Sequence, residues 1–275
     1  MPSLLRIAVL LAATLLAIAA LAYLAQRRLL YFPTVSDLAA STGLARARGL
    51  EPWLDRAGRF VGWRATPAAW APDLRAPDAR VLVLHGNAGA ALDRTYLRDV
   101  LRGPGLPLLE VYLLEYPGYG PRPGSPGEES ILAAAVEAID LLGAEAPVFL
   151  VGESLGSAAA ARAAAARPGV AGVLLVTPLA SVEAVARRHY PFVPSWLVRD
   201  AFRADLALPS YGGRVAFLVA GRDEVVFADL GRALFEAYPG PKRLWEEPRA
   251  THNTLRFDPL DPRWAEVWAF LRGPR

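Results

Sequence analysis

Gly152-Glu153-Ser154-Leu155-Gly156 reads G-x-S-x-G, and its flanks decide what it means. Val148-Phe149-Leu150-Val151 before it is a short apolar run of strand character, and an alanine-rich helix former begins at Ser157. A serine on a sharp turn between a buried strand and a helix is a nucleophile elbow, with its hydroxyl raised at the edge of a sheet. The glycines have a mechanical role. A strained turn brings neighbouring backbone close, so side chains two residues either side of the serine would clash. Chance alone supplies the three-residue pattern in about one chain in ten of this length. The reading therefore turns on the partners such a serine requires.

An acyl-transferring serine needs a base, an orienting carboxylate and donors for the oxyanion. At an elbow of this kind the acid and then the histidine follow the serine in the chain. The chain has three histidines, and only His189 and His252 lie after Ser154. His252, in Arg249-Ala250-Thr251-His252-Asn253, falls between the last strand and the final helix, where a sheet of this kind presents its base. His189 sits beside Tyr190 in a stretch that breaks the strand–helix alternation and reads as a surface or packing residue. Asp200, Asp205, Asp223 and Asp229 are the aspartates between Ser154 and His252. Asp223 alone follows a strong apolar strand at once, in Val219-Ala220-Gly221-Arg222-Asp223, and a carboxylate there points into the crevice at the strands' carboxyl ends. Asp205 and Asp229 read as helix-cap or surface residues. For the oxyanion, the backbone N–H of Leu155 is expected to act with that of Asn87 in His85-Gly86-Asn87-Ala88-Gly89, the glycine-rich loop after the strand Val81 to Leu84. His85 is expected to brace that loop.

Composition narrows the alternatives. The 275 residues suit one large α/β domain with a small appendage. Net charge is +3 with pI about 9.4, yet acids and arginines are interspersed and no run of five basic residues exists. That reads as a solvated surface, without nucleic acid as partner. Cysteine is absent, which excludes disulfides, thiolate catalysis and cysteine-ligated metals. No metal or nucleotide motif appears, so no cofactor is expected; Gly118-Tyr119-Gly120 is only a turn.

Part of the hydrophobic excess, 53% of residues, sits at the N-terminus. Ile7 to Ala25 is a run of nineteen residues without charge, enough for a helix to span most of the ~30 Å hydrocarbon core. A cleaved signal peptide is the rival, because Ala20-Leu21-Ala22 has the small-x-small pattern of a cleavage site. The length of the run and the Arg27-Arg28 stop favour a retained single-pass anchor. Arg27, Arg28, Arg46 and Arg48 outnumber Arg6, which tilts the catalytic domain toward the cytoplasmic side. Residues 1–28 are thus expected to be the anchor, 29–50 a juxtamembrane connector and 51–275 the catalytic domain.

Within that domain strands and helices alternate. Strands are expected at Phe60 to Ala65, Arg80 to Leu84, Leu106 to Leu114, Pro147 to Val151, Gly172 to Val176, Val215 to Ala220 and Lys242 to Trp245. Helices are expected at Ala90 to Leu101, Glu128 to Leu142, Leu155 to Ala166, Asp229 to Tyr238 and Pro262 to Leu271. A Pro/Ala-rich loop runs from the first of these strands through Pro77. Continuous apolar strands separated by helices argue for a mostly parallel sheet covered on both faces. About 178–212 breaks the alternation and is expected to project over the serine as a short cap.

The ordered set His85-Gly86-Asn87-Ala88-Gly89, Glu115-Tyr116-Pro117-Gly118-Tyr119-Gly120, Gly152-Glu153-Ser154-Leu155-Gly156, Gly221-Arg222-Asp223-Glu224-Val225-Val226 and His252-Asn253 resembles the membrane-anchored α/β-hydrolase-domain proteins, the bud-emergence-related serine hydrolases. Tyr190-Pro191-Phe192-Val193-Pro194 and Gly231-Arg232-Ala233-Leu234-Phe235-Glu236 resemble them as well. The resemblance runs from about Tyr31 to the C-terminus and implies the α/β-hydrolase fold, with Ser154 as nucleophile, Asp223 as acid and His252 as base. That group usually has Asp-Tyr-Arg-Gly-Tyr-Gly where this chain has Glu115 and Pro117, and often an aspartate where this chain has Thr254. These departures bear on substrate preference, since neither is a triad position.

The expected activity is hydrolysis of carboxylic esters or thioesters by a membrane-tethered serine hydrolase, on a small-molecule or lipid-like acyl substrate. A peptidase or amidase on the same scaffold is one alternative, and a noncatalytic tethered scaffold with a relic triad is the other.

Overall fold

A computed structural model describes residues 2–65, 76–104 and 106–274. The Pro/Ala-rich loop expected after residue 65 falls largely outside the described residues.

The chain opens with helix α1 (Pro2–Leu30), whose stretch from Ile7 to Ala25 carries no charged residue on any side. The most apolar 18-residue window of its Leu4–Leu30 stretch has a mean hydropathy of 2.6 and none of it is buried, so the helix is long and apolar enough to cross a membrane. A two-residue strand β1 (Phe32–Pro33) and helix α2 (Leu38–Ala47) follow, the latter capped by the Asp37 carboxylate on the N–H groups of Ala39 and Ala40. The remaining elements are β2 (Leu50–Leu54), β3 (Phe60–Ala65), β4 (Ala79–Leu84), β5 (Ala88–Gly89), α3 (Thr95–Val100), β6 (Leu109–Leu114), α4 (Glu128–Leu142), β7 (Val148–Glu153), α5 (Leu155–Ala166), β8 (Val170–Val176), α6 (Val182–His189), α7 (Ala204–Ala207), β9 (Arg214–Ala220), α8 (Ala228–Ala237), β10 (Lys242–Glu247) and α9 (Arg263–Arg272).

Eight strands form one sheet in the order β10-β9-β8-β7-β4-β6-β3-β2, while β1 pairs with β5 as a separate ribbon. From β6 to β10 every pairing is parallel, and β3 joins β6 and β2 antiparallel. Alternate side chains of each strand go to opposite faces. Leu82, Leu84 and Leu150 join Ile131, Ala135 and Ala161 in one core layer, and Val81, Val83 and Val151 join Trp264, Trp268 and Leu271 in the other. Helix α5 lies close on the sheet because its buried face is nearly all alanine, from Ala158 to Ala164.

Strand β4 is where the chain changes direction. It runs first to β6 on one side, then returns to β7 on the other. The loops after β4 and β7 therefore open side by side at a topological switch point, the place where open parallel sheets bind ligands.

Three local expectations are corrected. Helix α3 is shorter than Ala90 to Leu101, because Ala91–Arg94 is a 3-10 turn. Strand β6 starts at Leu109 instead of Leu106: Pro107 lacks an N–H, and the Leu108 N–H donates to the Asp78 carboxylate. Leu50–Leu54, at the junction of the expected connector and domain, is a strand where none was expected, and its Pro52 is tolerated at the sheet's edge.

Candidate active site

Strand β7 delivers Ser154 to the sheet's carboxyl edge, and the backbone there is held where few residues go. Ser154 has φ 54° and ψ −119°, a strained conformation worth about 1–3 kcal/mol that persists only where its surroundings enforce it. Its N–H donates to the Val176 carbonyl at 2.9 Å. The Ser157 hydroxyl donates to the Ser154 carbonyl at 2.6 Å and accepts from the Leu179 N–H at 2.8 Å, tying the turn to the next strand's exit. A Cβ on Gly152 would collide with the Gly156 carbonyl and approach the Ser157 Cα to 2.6 Å. One on Gly156 would collide with the Leu84 carbonyl and meet that of His85 at 2.5 Å. Both obstacles are backbone, which no rotamer change relieves. Gly156→Ala is therefore expected to destabilise the protein by about 1–3 kcal/mol and to displace Ser154, read as a lower midpoint in chemical denaturation together with lost activity.

Ser154 Oγ lies 3.1 Å from His252 Nε2, and His252 Nδ1 lies 2.7 Å from Asp223 Oδ2. With the Nδ1 proton donated to the carboxylate, Nε2 is left to accept from the serine hydroxyl. The other carboxylate oxygen of Asp223 accepts the N–H groups of Val225 and Val226 at 2.9 and 3.0 Å. Burial works to raise the Asp223 pKa, but the His252 contact and these two N–H donors outweigh it, and the carboxyl is held below its ordinary 3.8. The loop carrying His252 is fixed on both sides. Arg222 N–H donates to the Ala250 carbonyl, and Thr254 Oγ1 accepts the Thr251 N–H, each at 2.8 Å. Thr254 thus does locally what a short polar side chain can, at the position where the resembling group often has aspartate.

The loop after β4 runs beside the serine, close enough that a Cβ on Gly86 would stand 3.5 Å from the Ser154 Cβ. Leu155 is the first residue of α5, so its N–H has no intrahelical acceptor. Asn87 is held from three directions. Its carbonyl accepts from the Phe32 N–H at 2.9 Å and from the Tyr119 hydroxyl at 2.7 Å, and its side-chain amide donates to the Leu30 carbonyl at 2.7 Å. His85 is buried beneath, its Nδ1 at 2.7 Å from the Gly86 carbonyl and its ring against Tyr116 and Tyr119.

A cavity of about 450 Å³ opens over Ser154 and His252. Its wall includes three residues for which the sequence carried no local signal. Arg94 Nε donates to Glu153 Oε2 at 2.6 Å, and the Tyr96 hydroxyl donates to Glu153 Oε1 at 2.5 Å. Burial opposes the Arg94 charge, but Glu153 outweighs it and keeps the guanidinium charged. A larger cavity, about 600 Å³, lies at the opposite edge beside Asp78, Pro147 and Trp268, and no serine, threonine or histidine is among the described residues that line it. The remaining candidates are engaged elsewhere. His189 is exposed with Nε2 at 3.0 Å from the Val225 carbonyl, Asp200 binds Arg27 and Tyr31, Asp205 pairs with Arg203, and Asp229 with Arg188. Among the described residues no group of three or more His, Asp or Glu side chains could hold a metal ion.

Residues 81–274 match the family model described as the alpha/beta hydrolase family. An uncharacterized protein of Mycobacterium tuberculosis is 34% identical over 237 residues, covering 83% of this chain and 80% of its own length. Among solved structures, the esterase Est1E from Butyrivibrio proteoclasticus superposes with a TM-score of 0.61 at 16% identity, over 82% of this chain and 96% of that one. The Pyrococcus furiosus esterase Pf2001 gives 0.59 at 15% identity, over 82% and 92% of the two chains.

Proposed function

Because this chain belongs to the alpha/beta hydrolase family, we propose that it cleaves carboxylic esters or thioesters through an acyl-Ser154 intermediate. The hydrogen-bonded series Ser154 Oγ, His252 Nε2, Asp223 Oδ2, presented on a strained turn beside an open cavity, carries this reading. Ser154 attacks the substrate carbonyl as His252 takes its proton. The resulting oxyanion faces the backbone N–H groups of Leu155 and Asn87, and Asp223 fixes the histidine tautomer and stabilises the imidazolium. His252 then returns the proton to the leaving alcohol or thiol, and a water activated by the same base hydrolyses the acyl-enzyme.

We assign residues 1–28 to a retained membrane anchor, 29–50 to the connector and 51–275 to the hydrolase domain, with its cap at about 178–212. Helix α1 and the order of the motifs support a place in the bud-emergence-related subgroup. A C-terminal alkaline phosphatase or fluorescent-protein fusion reports which side of the membrane the domain occupies; the arginine distribution leads us to expect the cytoplasmic side.

Fluorophosphonate labelling of the purified protein tests the hydrolase reading. Wild type is expected to label, while Ser154→Ala is not. A folded wild type that stays unlabelled would overturn the mechanism. A panel of p-nitrophenyl esters against an aminoacyl amide then separates an esterase from a peptidase.

A further inference from the structure

The cap carries an exposed aromatic segment that nothing in the proposed chemistry uses. After α6 the chain runs Tyr190-Pro191-Phe192-Val193-Pro194-Ser195-Trp196, in which Phe192 is 97% exposed, Trp196 79% and Tyr190 64%. Large side chains concentrated on seven consecutive residues are not ordinary surface scatter.

The position of this segment relative to α1 says what covers it. The Gln26 side-chain amide donates to the Leu197 carbonyl at 2.7 Å and accepts the Arg199 N–H at 2.9 Å, gripping the backbone next to Trp196 with both of its polar atoms. One residue on, the Arg27 guanidinium donates to both oxygens of Asp200 at 2.8 and 3.0 Å, and the Tyr31 hydroxyl donates to the same carboxylate at 3.0 Å. Arg199 lies over the ring of Tyr23, its guanidinium carbon 5.9 Å from the centroid. The aromatic segment is therefore fastened to Tyr23–Tyr31, where the apolar run of α1 gives way to Gln26, Arg27 and Arg28. In a spanning helix that transition lies at the boundary between hydrocarbon and headgroups, the depth at which tryptophan and tyrosine concentrate and arginine reaches outward to the polar layer.

The same two structures flank the candidate active site. His189, the last residue of α6, meets the carbonyl of Val225, and Val225 lines the cavity over Ser154. The Leu30 carbonyl at the end of α1 accepts from Asn87, which lines that cavity too.

We propose that the Tyr190–Trp196 segment of the cap inserts into the headgroup layer of the bilayer that α1 spans, and that the Ser154 cavity takes its substrate from that layer. The substrate class is then an amphiphilic ester whose acyl chain resides in the leaflet. The proposal rests on the reading of α1 as a retained anchor.

Because the chain has no cysteine, a single introduced cysteine accepts a fluorophore at one place only. Full-length Phe192→Cys, Leu16→Cys and Glu145→Cys variants, each labelled with an environment-sensitive dye, are reconstituted in phosphatidylcholine/phosphatidylglycerol vesicles containing spin-labelled lipids. Quenching is expected at position 16 deep in the acyl region, at position 192 by shallow spin labels, and not at position 145. Quenching at 16 with none at 192 overturns the bilayer contact and leaves the anchor intact. Absence of quenching at both positions removes the anchor and the contact together. A blue-shifted dye at 192 that lipid spin labels do not reach means a protein surface covers the segment, which also overturns the proposal. In parallel, Phe192→Asp/Trp196→Asp is expected to lower hydrolysis of a vesicle-embedded long-chain ester by about tenfold, a change of ~1.4 kcal/mol, while leaving turnover of water-soluble p-nitrophenyl acetate unchanged. Equal losses on both substrates would mean the segment supports the fold instead.

Discussion

Ser154→Ala is expected to lower kcat for a p-nitrophenyl ester by about 10⁶-fold while the protein stays folded. The size follows from what is removed. Among the described residues no other hydroxyl meets His252 Nε2, so on the proposed mechanism the covalent route closes and only binding and oxyanion stabilisation remain. That loss corresponds to roughly 8 kcal/mol of transition-state stabilisation. The fold has little reason to respond, because the bonds that hold the turn come from the Ser154 backbone and from Ser157, not from the Ser154 hydroxyl. Alanine accepts the left-handed backbone at a strain cost similar to that of serine. Steady-state kinetics beside a thermal melt checks both halves. Residual turnover above a few hundredths of the wild-type rate would mean another nucleophile operates. His252→Ala is expected to cost about as much, and the double variant scarcely more than either, since the two residues act as a unit.

Asp223→Asn should cost about 10⁴-fold in kcat with little change in KM. The amide keeps the shape of the carboxylate, and its oxygen can still accept the Val225 and Val226 N–H groups. What it cannot do is stabilise a positive imidazolium, and its NH₂ favours the tautomer that leaves a proton on Nε2, facing the serine. The pH dependence has a definite sign. The Asp223 pKa is lowered from 3.8, so the carboxylate is charged at every pH above that value, and its contribution is lost only as pH falls below it. Protonation of Asp223 therefore sets no limb of the activity profile near neutrality. A profile of kcat/KM against pH for wild type and variant checks this, and a wild-type loss traceable to Asp223 near neutral pH would contradict it.

The sequence made some parts of this molecule plain and hid others for identifiable reasons. Helix α4 was legible to the residue, because Gly127 and Gly143 bracket an apolar pattern of helical period. Helix α5 was equally clear from an alanine run opened by the elbow. Residues 106–108 have the apolar character of a strand, yet Pro107 keeps them out of the ladder, and Leu50–Leu54 carries Pro52, which a strand tolerates only at an edge. For the candidate site, Ser154, Asp223 and His252 each stand out by position relative to a strand end, and the fold brings the three side chains into contact. The Arg94–Glu153–Tyr96 group does not stand out in this way. Arg94 and Tyr96 lie 59 and 57 residues from Glu153, and no local spacing rule joins them to it. Likewise Gln26 and Leu197, 171 residues apart, meet only because the tertiary fold folds the cap back onto α1. Sequence patterns report periodicity and turns, whereas contacts between distant segments leave no periodic trace.

The joint between α1 and the cap also has a kinetic meaning. Five side-chain hydrogen bonds from Gln26, Arg27 and Tyr31 make it a bracket instead of a leash. A domain on a leash samples a hemisphere of solution around its anchor. On the proposed reading of α1 as a retained anchor, a domain held by a bracket keeps a single face toward the leaflet and searches by drifting within it. For an enzyme so mounted, the quantity that governs turnover is the number of substrate molecules per unit area of membrane, and diluting the surrounding water leaves it unchanged.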